Sequence, residues 1–266
     1  MKKSSFFAVA LATMVFAACG GKKTTQNAEE VSAEISFEQE QIEASIKQNF
    51  DSLATQVGNL KQLPIRKKDG VITLSEEEMK VKPDYLLDPA VAENAVTLSE
   101  KYRMISALSV DKQIAALYDM PIDEYQKAIA KLVADINDPS FKEIQDANTI
   151  YETTQTLYDA MNQNGRINYF WQLAATSLVE ELYVMTQNTD KFIASFDDEA
   201  ASNVTYRIVL LIDAINRLTQ YDSEIEPIAK AIAPLNVLNA ISVDQLKSQL
   251  ADAKEKIVSA RSALIK

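Results

Sequence analysis

Histidine is absent from this chain of 266 residues, which has only one cysteine, one tryptophan and five glycines. Imidazole is the commonest general base and transition-metal ligand in proteins. Its absence therefore excludes Ser-His-Asp and Cys-His catalysis, zincin sites and Glu-x-x-His di-iron sites. The few glycines do not have the spacing of a loop that cradles a nucleotide phosphate. We therefore expect no enzyme activity, no catalytic residue, no cofactor and no metal site.

The first eighteen residues have the organisation of an export signal. Residues 2–3 are lysines, and the apolar stretch 6–16 that follows is too short to span a bilayer. Residues 16–19 (Phe-Ala-Ala-Cys) then resemble the lipobox of bacterial lipoproteins, in which a signal peptidase cuts before the cysteine and the cysteine is acylated. The resemblance implies that residues 1–18 are a lipoprotein signal peptide and that Cys19 is lipidated.

This resemblance also implies how the mature protein is held. Residues 19–35 are polar and aperiodic, so we interpret them as a flexible tether that precedes a single helical domain over residues 36–266. Gly20 and Gly21 stand where an inner-membrane retention signal has aspartate, and no acidic run typical of surface export adjoins the cysteine. We therefore expect a lipid anchor in the outer membrane, on its periplasmic face.

Acidic residues outnumber basic ones. The chain has 27 Lys and Arg against 38 Asp and Glu, and loss of Lys2 and Lys3 with the leader changes the net charge from −11 to −13. A charge of this sign argues against nucleic acid and against anionic lipid surfaces as partners. Solubility alone accounts for such acidity, and a cationic ligand is the alternative explanation.

Apolar residues recur with helical spacing along almost the whole body, and no β-hairpin pair is recognisable. Asp-Pro pairs at 88–89 and 138–139 each predict a capped helix start. The predicted helices cover about 36–63, 88–118, 121–136, 138–164, 166–188, 199–221 and 242–264. The sequence thus predicts an all-α fold, an antiparallel multi-helix bundle of six to eight helices with no substantial sheet. A helical-repeat solenoid fits less well because the helix lengths vary.

Two of these helices are expected to be largely buried. Residues 166–188 are apolar on nearly every face, as in a helix at the centre of a bundle. The helix over 199–221 has an apolar stripe that Val209, Leu210 and Ile212 widen. Both helices are therefore predicted to have several faces covered by protein.

The start of the central helix is the strongest candidate for a ligand site. It contains Arg166, Tyr169 and the single tryptophan, Trp171, and it leads to two carboxylates, Glu180 and Glu181. Adjacent helical residues point about 100° apart, so at least one carboxylate faces protein and needs a cation. Either a structural Arg–Glu pair fixes the helix register, or these residues line an interhelical pocket for a small polar or cationic ligand. The candidate cations are Arg103, Arg166, Arg207 and Arg217.

A short motif bears on modification. Residues 51–53 (Asp-Ser-Leu) resemble the O-glycosylation motif of exported Bacteroidetes proteins, and the leader is compatible with that phylum. The resemblance implies a glycan on Ser52. The body as a whole is similar to all-helical envelope lipoproteins of that phylum, which implies no particular activity.

These observations favour a membrane-anchored envelope lipoprotein that acts as a non-catalytic binding or scaffold module for an envelope protein or component. The alternative is a small-ligand-binding helical lipoprotein with an interhelical pocket near Tyr169, Trp171, Glu180 and Glu181. A third possibility is a histidine-free hydrolase or lyase, which would require two acids with separated pKa values in an open cleft.

Overall fold

The computed structural model describes residues 74–143, 154–194 and 196–265, together with residues 44, 45 and 48. These residues form helices and no strand, so the predicted all-α multi-helix fold is confirmed. Ten α-helices occur in residues 74–143, 154–194 and 196–265, and eight of them have at least seven residues. They are α1 (Glu76–Lys80), α2 (Leu98–Leu117), α3 (Asp123–Ile136), α4 (Thr154–Gln163), α5 (Ile167–Gln187), α6 (Thr189–Phe192), α7 (Asp198–Leu218), α8 (Glu226–Ile232), α9 (Val243–Asp252) and α10 (Lys254–Leu264). Short 3-10 helices cover Pro89–Asn94, Pro139–Glu143, Ser223–Ile225 and Ala233–Val237.

Helix α5 lies at the centre of the bundle, as the sequence predicted. It packs against α2, α4, α7, α8, α9 and α10, and its buried side chains lie on every face rather than in one stripe. A helix that is apolar all round can be stable only where other elements surround it. The position of α5 therefore follows directly from its composition.

The relative directions of the helices follow from contacts near their ends. Helices α2 and α3 are antiparallel, because Lys101 near the start of α2 lies 3.8 Å from Asp135 near the end of α3. Helices α2 and α5 instead run parallel, because Ser99 near the start of α2 donates a hydrogen bond to Gln172 near the start of α5. Tyr102 also stacks on Tyr169, and one turn further along both helices Ser106 donates to the carbonyl oxygen of Leu173 at 2.7 Å.

Local sequence signals set two helix boundaries. The Ser75 hydroxyl accepts from the Glu78 N–H, and the Glu78 carboxylate accepts from the Ser75 N–H at 2.7 Å, so a capping box starts α1. Gly165 ends α4 with a φ of +65°, in the left-handed region that glycine favours. The Arg166 N–H there donates back to the Met161 carbonyl oxygen at 2.7 Å.

The helix predicted over 88–118 consists of two separate elements. Asp88 caps only the 3-10 helix Pro89–Asn94, after which Ala95 has extended backbone angles. Helix α2 then starts from its own capping box, in which Thr97 and Glu100 exchange side-chain and backbone hydrogen bonds. Hydrophobic spacing alone suggested one continuous helix over 88–118, but two adjacent cap signals divide it. In the same way, Asp138-Pro139 opens a short 3-10 helix, and the predicted connection to α4 lies partly outside the described residues.

The helix predicted over 242–264 is also divided. Ser242 caps α9, but Ala253 adopts non-helical angles (φ −91°, ψ 1°) and separates α9 from α10. Helix α9 packs against α5 and α7, whereas α10 packs against α5 and α8. The turn at Ala253 redirects the chain between these two sets of neighbours.

Helix α7 is less buried than predicted. Its core stripe, which includes Val204, Ile208 and Leu211, is buried, but Val209 is 57% exposed and Tyr206 is 51% exposed. Leu210 and Ile212 are half-buried and pack against the core, whereas Val209 and Tyr206 lie on the outer face. The prediction of a largely buried helix is therefore wrong for this face.

A core truncation tests the central position of α5. Leu182 is fully buried in α5, so Leu182→Ala should leave a cavity and lower the free energy of unfolding by about 2–5 kcal/mol. Val258→Ala on the partly exposed face of α10 is the control and should cost about 1 kcal/mol or less. Urea unfolding of both variants measures the difference, and equal losses would contradict a central α5.

Candidate functional site

Glu180 forms an ion pair with Arg261 at the contact between α5 and α10. The Glu180 carboxylate is fully buried, and both of its oxygens accept hydrogen bonds from Arg261. Nε lies 2.9 and 2.7 Å from the two oxygens, and Nη2 lies 2.7 Å from Oε1. The guanidinium carbon also lies 4.0 Å from the centroid of the Tyr183 ring, which adds a cation–π contact. This bidentate geometry is the strongest that an arginine and a carboxylate form.

A second fully buried carboxylate, Asp111 of α2, lies at the same place. Its Oδ2 accepts from the Leu87 N–H at 2.7 Å and lies 3.9 Å from Arg261 Nη2. Its Oδ1 is buried and has no hydrogen-bond partner. One guanidinium therefore lies beside two buried carboxylates. We call Asp111, Glu180 and Arg261 the cluster.

The surroundings of this cluster oppose additional negative charge. Burial is the largest cause that raises the pKa of the Asp111 carboxyl well above its ordinary value, and the nearby charge of Glu180 raises it further. The Leu87 N–H and Arg261 act in the opposite direction. Burial likewise raises the pKa of the Tyr85 and Tyr125 hydroxyls, and the Asp111 charge adds to both shifts. Both hydroxyls therefore remain neutral at physiological pH.

Glu181 faces a different helix. Its carboxylate is fully buried, and its Oε2 lies 3.8 Å from Nη1 of Arg207 on α7, which is 4% exposed. Arg207 was among the cations that the sequence proposed for this helix. The prediction that at least one of the two carboxylates faces protein is confirmed, because both are buried.

The other predicted pocket residues are engaged in aromatic packing near the start of α5. The Tyr169 ring stacks on Tyr102 of α2, with centroids 4.5 Å apart and an angle of 11° between the planes. The Arg166 guanidinium lies 5.7 Å from the Tyr169 centroid. Trp171 is fully buried and makes an edge contact with Phe170. Among these contacts, one joins two of the predicted residues, Arg166 and Tyr169.

The five predicted residues are not gathered in one pocket. Tyr169 and Glu180 are separated by about 16 Å along the helix axis at 1.5 Å per residue. Glu180 and Glu181 face different helices, α10 and α7. A cleft of about 330 Å³ lies elsewhere, and none of the five lines it. Its lining residues are Leu74, Glu77, Glu78, Val81, Tyr118, Asn188 and Lys191. A ligand-binding role for the five residues stays a prediction.

Sequence reasoning missed two members of the cluster, although each carries a signal. Asp111 follows Leu108 by three residues and precedes Ile114 by three, so it interrupts the buried stripe of α2. Arg261 has the same relation to the buried stripe of α10, four residues after Ile257. A charged residue on an apolar stripe predicts a buried partner of opposite charge. The two interruptions together indicate the Asp111–Arg261 contact.

Cys19 and Ser52, the predicted lipidation and glycosylation sites, lie outside the described residues. No group of three or more acidic or cysteine side chains in the described ranges is arranged to hold a metal ion. No helix in those ranges has the length and apolar character needed to cross a bilayer. The chain has no match among protein-family models, curated proteins or solved structures.

Removal of the buried cation tests the cluster. Arg261→Met should lower the free energy of unfolding by about 3–5 kcal/mol, because it leaves buried carboxylate without a partner. Arg217→Met is the matched control, since Arg217 pairs with Asp213 at 3.0 Å on a half-exposed surface of α7. That control should cost at most about 1 kcal/mol. Chemical denaturation measures both variants, and a loss of less than about 1 kcal/mol for Arg261→Met would show that the pair is not structurally engaged.

Proposed function

We propose that this protein is a lipid-anchored, non-catalytic envelope lipoprotein whose helical body binds a partner protein through the outer face of α7. The observation that carries the proposal is the exposed apolar surface formed there by Tyr206, Val209 and Ile241, which we call the α7 surface. Their exposed fractions are 51%, 57% and 69%. Apolar side chains grouped on an exposed face are typical of protein interaction sites.

Two hydrogen bonds support the grouping of these residues. The Thr205 hydroxyl donates to the Ala240 carbonyl oxygen at 2.9 Å, and the Ser202 hydroxyl donates to the Ile241 carbonyl oxygen at 3.4 Å. The segment before α9 therefore runs alongside the first half of α7. Ile241 lies beside the turn of α7 that precedes Tyr206, so the surface combines two elements of the chain.

The charge around this surface supports a partner with basic groups. Asp198, whose carboxylate accepts from the Val243 N–H at 2.9 Å, places negative charge next to Ile241. Glu199 is exposed one residue further along α7. The mature chain has a net charge of −13, so its long-range field also attracts cations. The partner segment that fits is apolar with lysine or arginine at its flanks.

The leader sequence supports the membrane attachment. Cys19 is the single cysteine and stands at the lipobox position, and residues 19–35 have the composition of a flexible tether. Acyl chains attached to Cys19 and inserted in the periplasmic face of the outer membrane fit these residues. The proposal of a non-catalytic role is supported by the complete burial of Asp111 and Glu180, which a substrate would have to reach.

Mutation of the lipidation site tests the anchor. In bacterial cells, and with residues 1–18 replaced by an export leader whose cleavage does not require the cysteine, Cys19→Ala should move the protein from the membrane fraction to the soluble periplasmic fraction, because no acyl chains are attached. The thermal unfolding midpoint of the purified body should stay unchanged. Continued membrane fractionation of Cys19→Ala with intact signal-peptide cleavage would overturn the anchor.

Site-specific photocrosslinking tests the α7 surface. With p-benzoylphenylalanine in place of Tyr206, irradiation of intact cells should give one crosslinked partner, joined through an apolar segment with basic flanks. Val209→Asp in the same chain should reduce that product by at least about tenfold, because a buried unpaired charge costs more than 1.4 kcal/mol. The matched control is Val258→Asp on α10, which should leave the crosslink unchanged. Equal loss in both variants, or no crosslink, would overturn the proposed surface.

A further inference from the structure

The junction of α2, α5 and α10 contains more acid than base. Asp111 and Glu180 are both fully buried, and Arg261 is the cation within ion-pair distance of them among the described residues. If both acids were ionised, the sealed cluster would carry one uncompensated negative charge. Burial of such a charge costs several kcal/mol, whereas uptake of one proton makes the cluster neutral.

The contacts indicate which acid holds the proton. Glu180 uses both oxygens to bind Arg261 in the bidentate geometry of a carboxylate. Asp111 Oδ2 accepts one backbone N–H and lies 3.9 Å from the guanidinium, while Oδ1 has no partner. Ionised Asp111 would therefore leave buried negative charge on an oxygen that has no hydrogen-bond donor. The proton belongs on Asp111.

The groups that face Asp111 from the neighbouring elements include one positive charge. The tyrosine hydroxyls are neutral, and Asp88 adds a negative charge near Tyr125. These facing groups are Glu180 from α5, Arg261 from α10, Tyr125 from α3, and Tyr85 from the segment before α2. Tyr183 contacts Arg261, and Asp88 acts on Tyr125. None of them compensates a second carboxylate.

We propose that Asp111 and Glu180 form a buried proton-binding site that holds one proton at neutral pH and keeps α10 packed against α2 and α5. A rise in pH that removes this proton puts two negative charges beside Arg261 and loosens α10. The site makes the attachment of the C-terminal helix sensitive to pH.

The direction of the effect on stability follows from proton linkage. In the unfolded chain an aspartate has a pKa of about 3.9, and in the folded protein burial raises the pKa of Asp111 above that value. The contribution of the proton to stability is therefore complete below the unfolded pKa and is lost as the pH rises through the folded pKa. Asp111→Asn keeps the shape and the Leu87 contact but removes the titration.

Urea unfolding across pH is the first test. Between the unfolded and folded pKa values, the unfolding constant of the wild type should increase relative to that of Asp111→Asn by about tenfold per pH unit. Asp213→Asn, which changes a half-exposed aspartate of α7, is the matched control and should differ from the wild type by a constant factor at neutral and alkaline pH. A pH-independent difference between the wild type and Asp111→Asn would overturn the proposal.

Infrared spectroscopy of the unmutated protein is the second test, and it does not depend on a variant that folds. At neutral pH the wild type should show the C=O band of one protonated carboxyl group, and ¹³C labelling of aspartate should shift it. Absence of the band, or a shift only on glutamate labelling, would overturn the assignment to Asp111.

Amide hydrogen exchange tests the effect on α10. Compared at equal pH, exchange in α10 should become faster in the wild type than in Asp111→Asn as the pH rises, and equal exchange rates in the two proteins at every pH would contradict the loosening of α10.

Discussion

The structure depends on one constraint, which is that α5 is buried on every side and yet carries two carboxylates. Glu180 and Glu181 are adjacent and point about 100° apart, so one cation cannot serve both. Arg261 of α10 binds the first, and Arg207 of α7 faces the second. The two charges therefore fix which helices flank α5 and at what height each of them crosses it.

Polar contacts hold the α2–α5–α10 unit at two levels. Near the starts of α2 and α5, Arg103 donates to Gln172 at 3.0 Å and to the carbonyl oxygen of Leu264 at 2.8 Å, at the end of α10. Further along, Asp111, Glu180 and Arg261 meet. Buried polar groups are satisfied in only one register, so a slip of any of these helices would leave several of them without partners. Apolar packing alone tolerates many registers, and the polar contacts select one of them.

The sequence was sufficient for the fold class, for the central position of α5 and for several helix ends, because each depends on local spacing or on a cap within four residues. It was sufficient for the burial of at least one of Glu180 and Glu181, but not for the partner of Glu180, since Arg261 lies 81 residues away in the chain. The breaks at Ala95 and Ala253 were missed because apolar spacing continues through both residues. The first helix is interrupted by a second cap signal, and the other is interrupted where the chain changes its neighbouring helices. The stacking of Tyr102 on Tyr169 was also missed, because reasoning about one helix does not show contacts with another helix.

The protein interior and the outer face of α7 differ in how much of their surface is already covered by the chain itself. In the described interior, the buried carboxylates of α2 and α5 lie beside arginines of the same chain, and Asp111 holds the proposed proton. A ligand there would have to displace contacts that already hold three helices together. Helix α7 instead has a second apolar face, with Tyr206 and Val209, that packing against α5 does not use. Exposed apolar area costs solubility, and a partner that covers it recovers that free energy. If Cys19 carries lipid as proposed, confinement to one membrane also raises the effective concentration of a partner anchored there, so even a small surface is sufficient for binding.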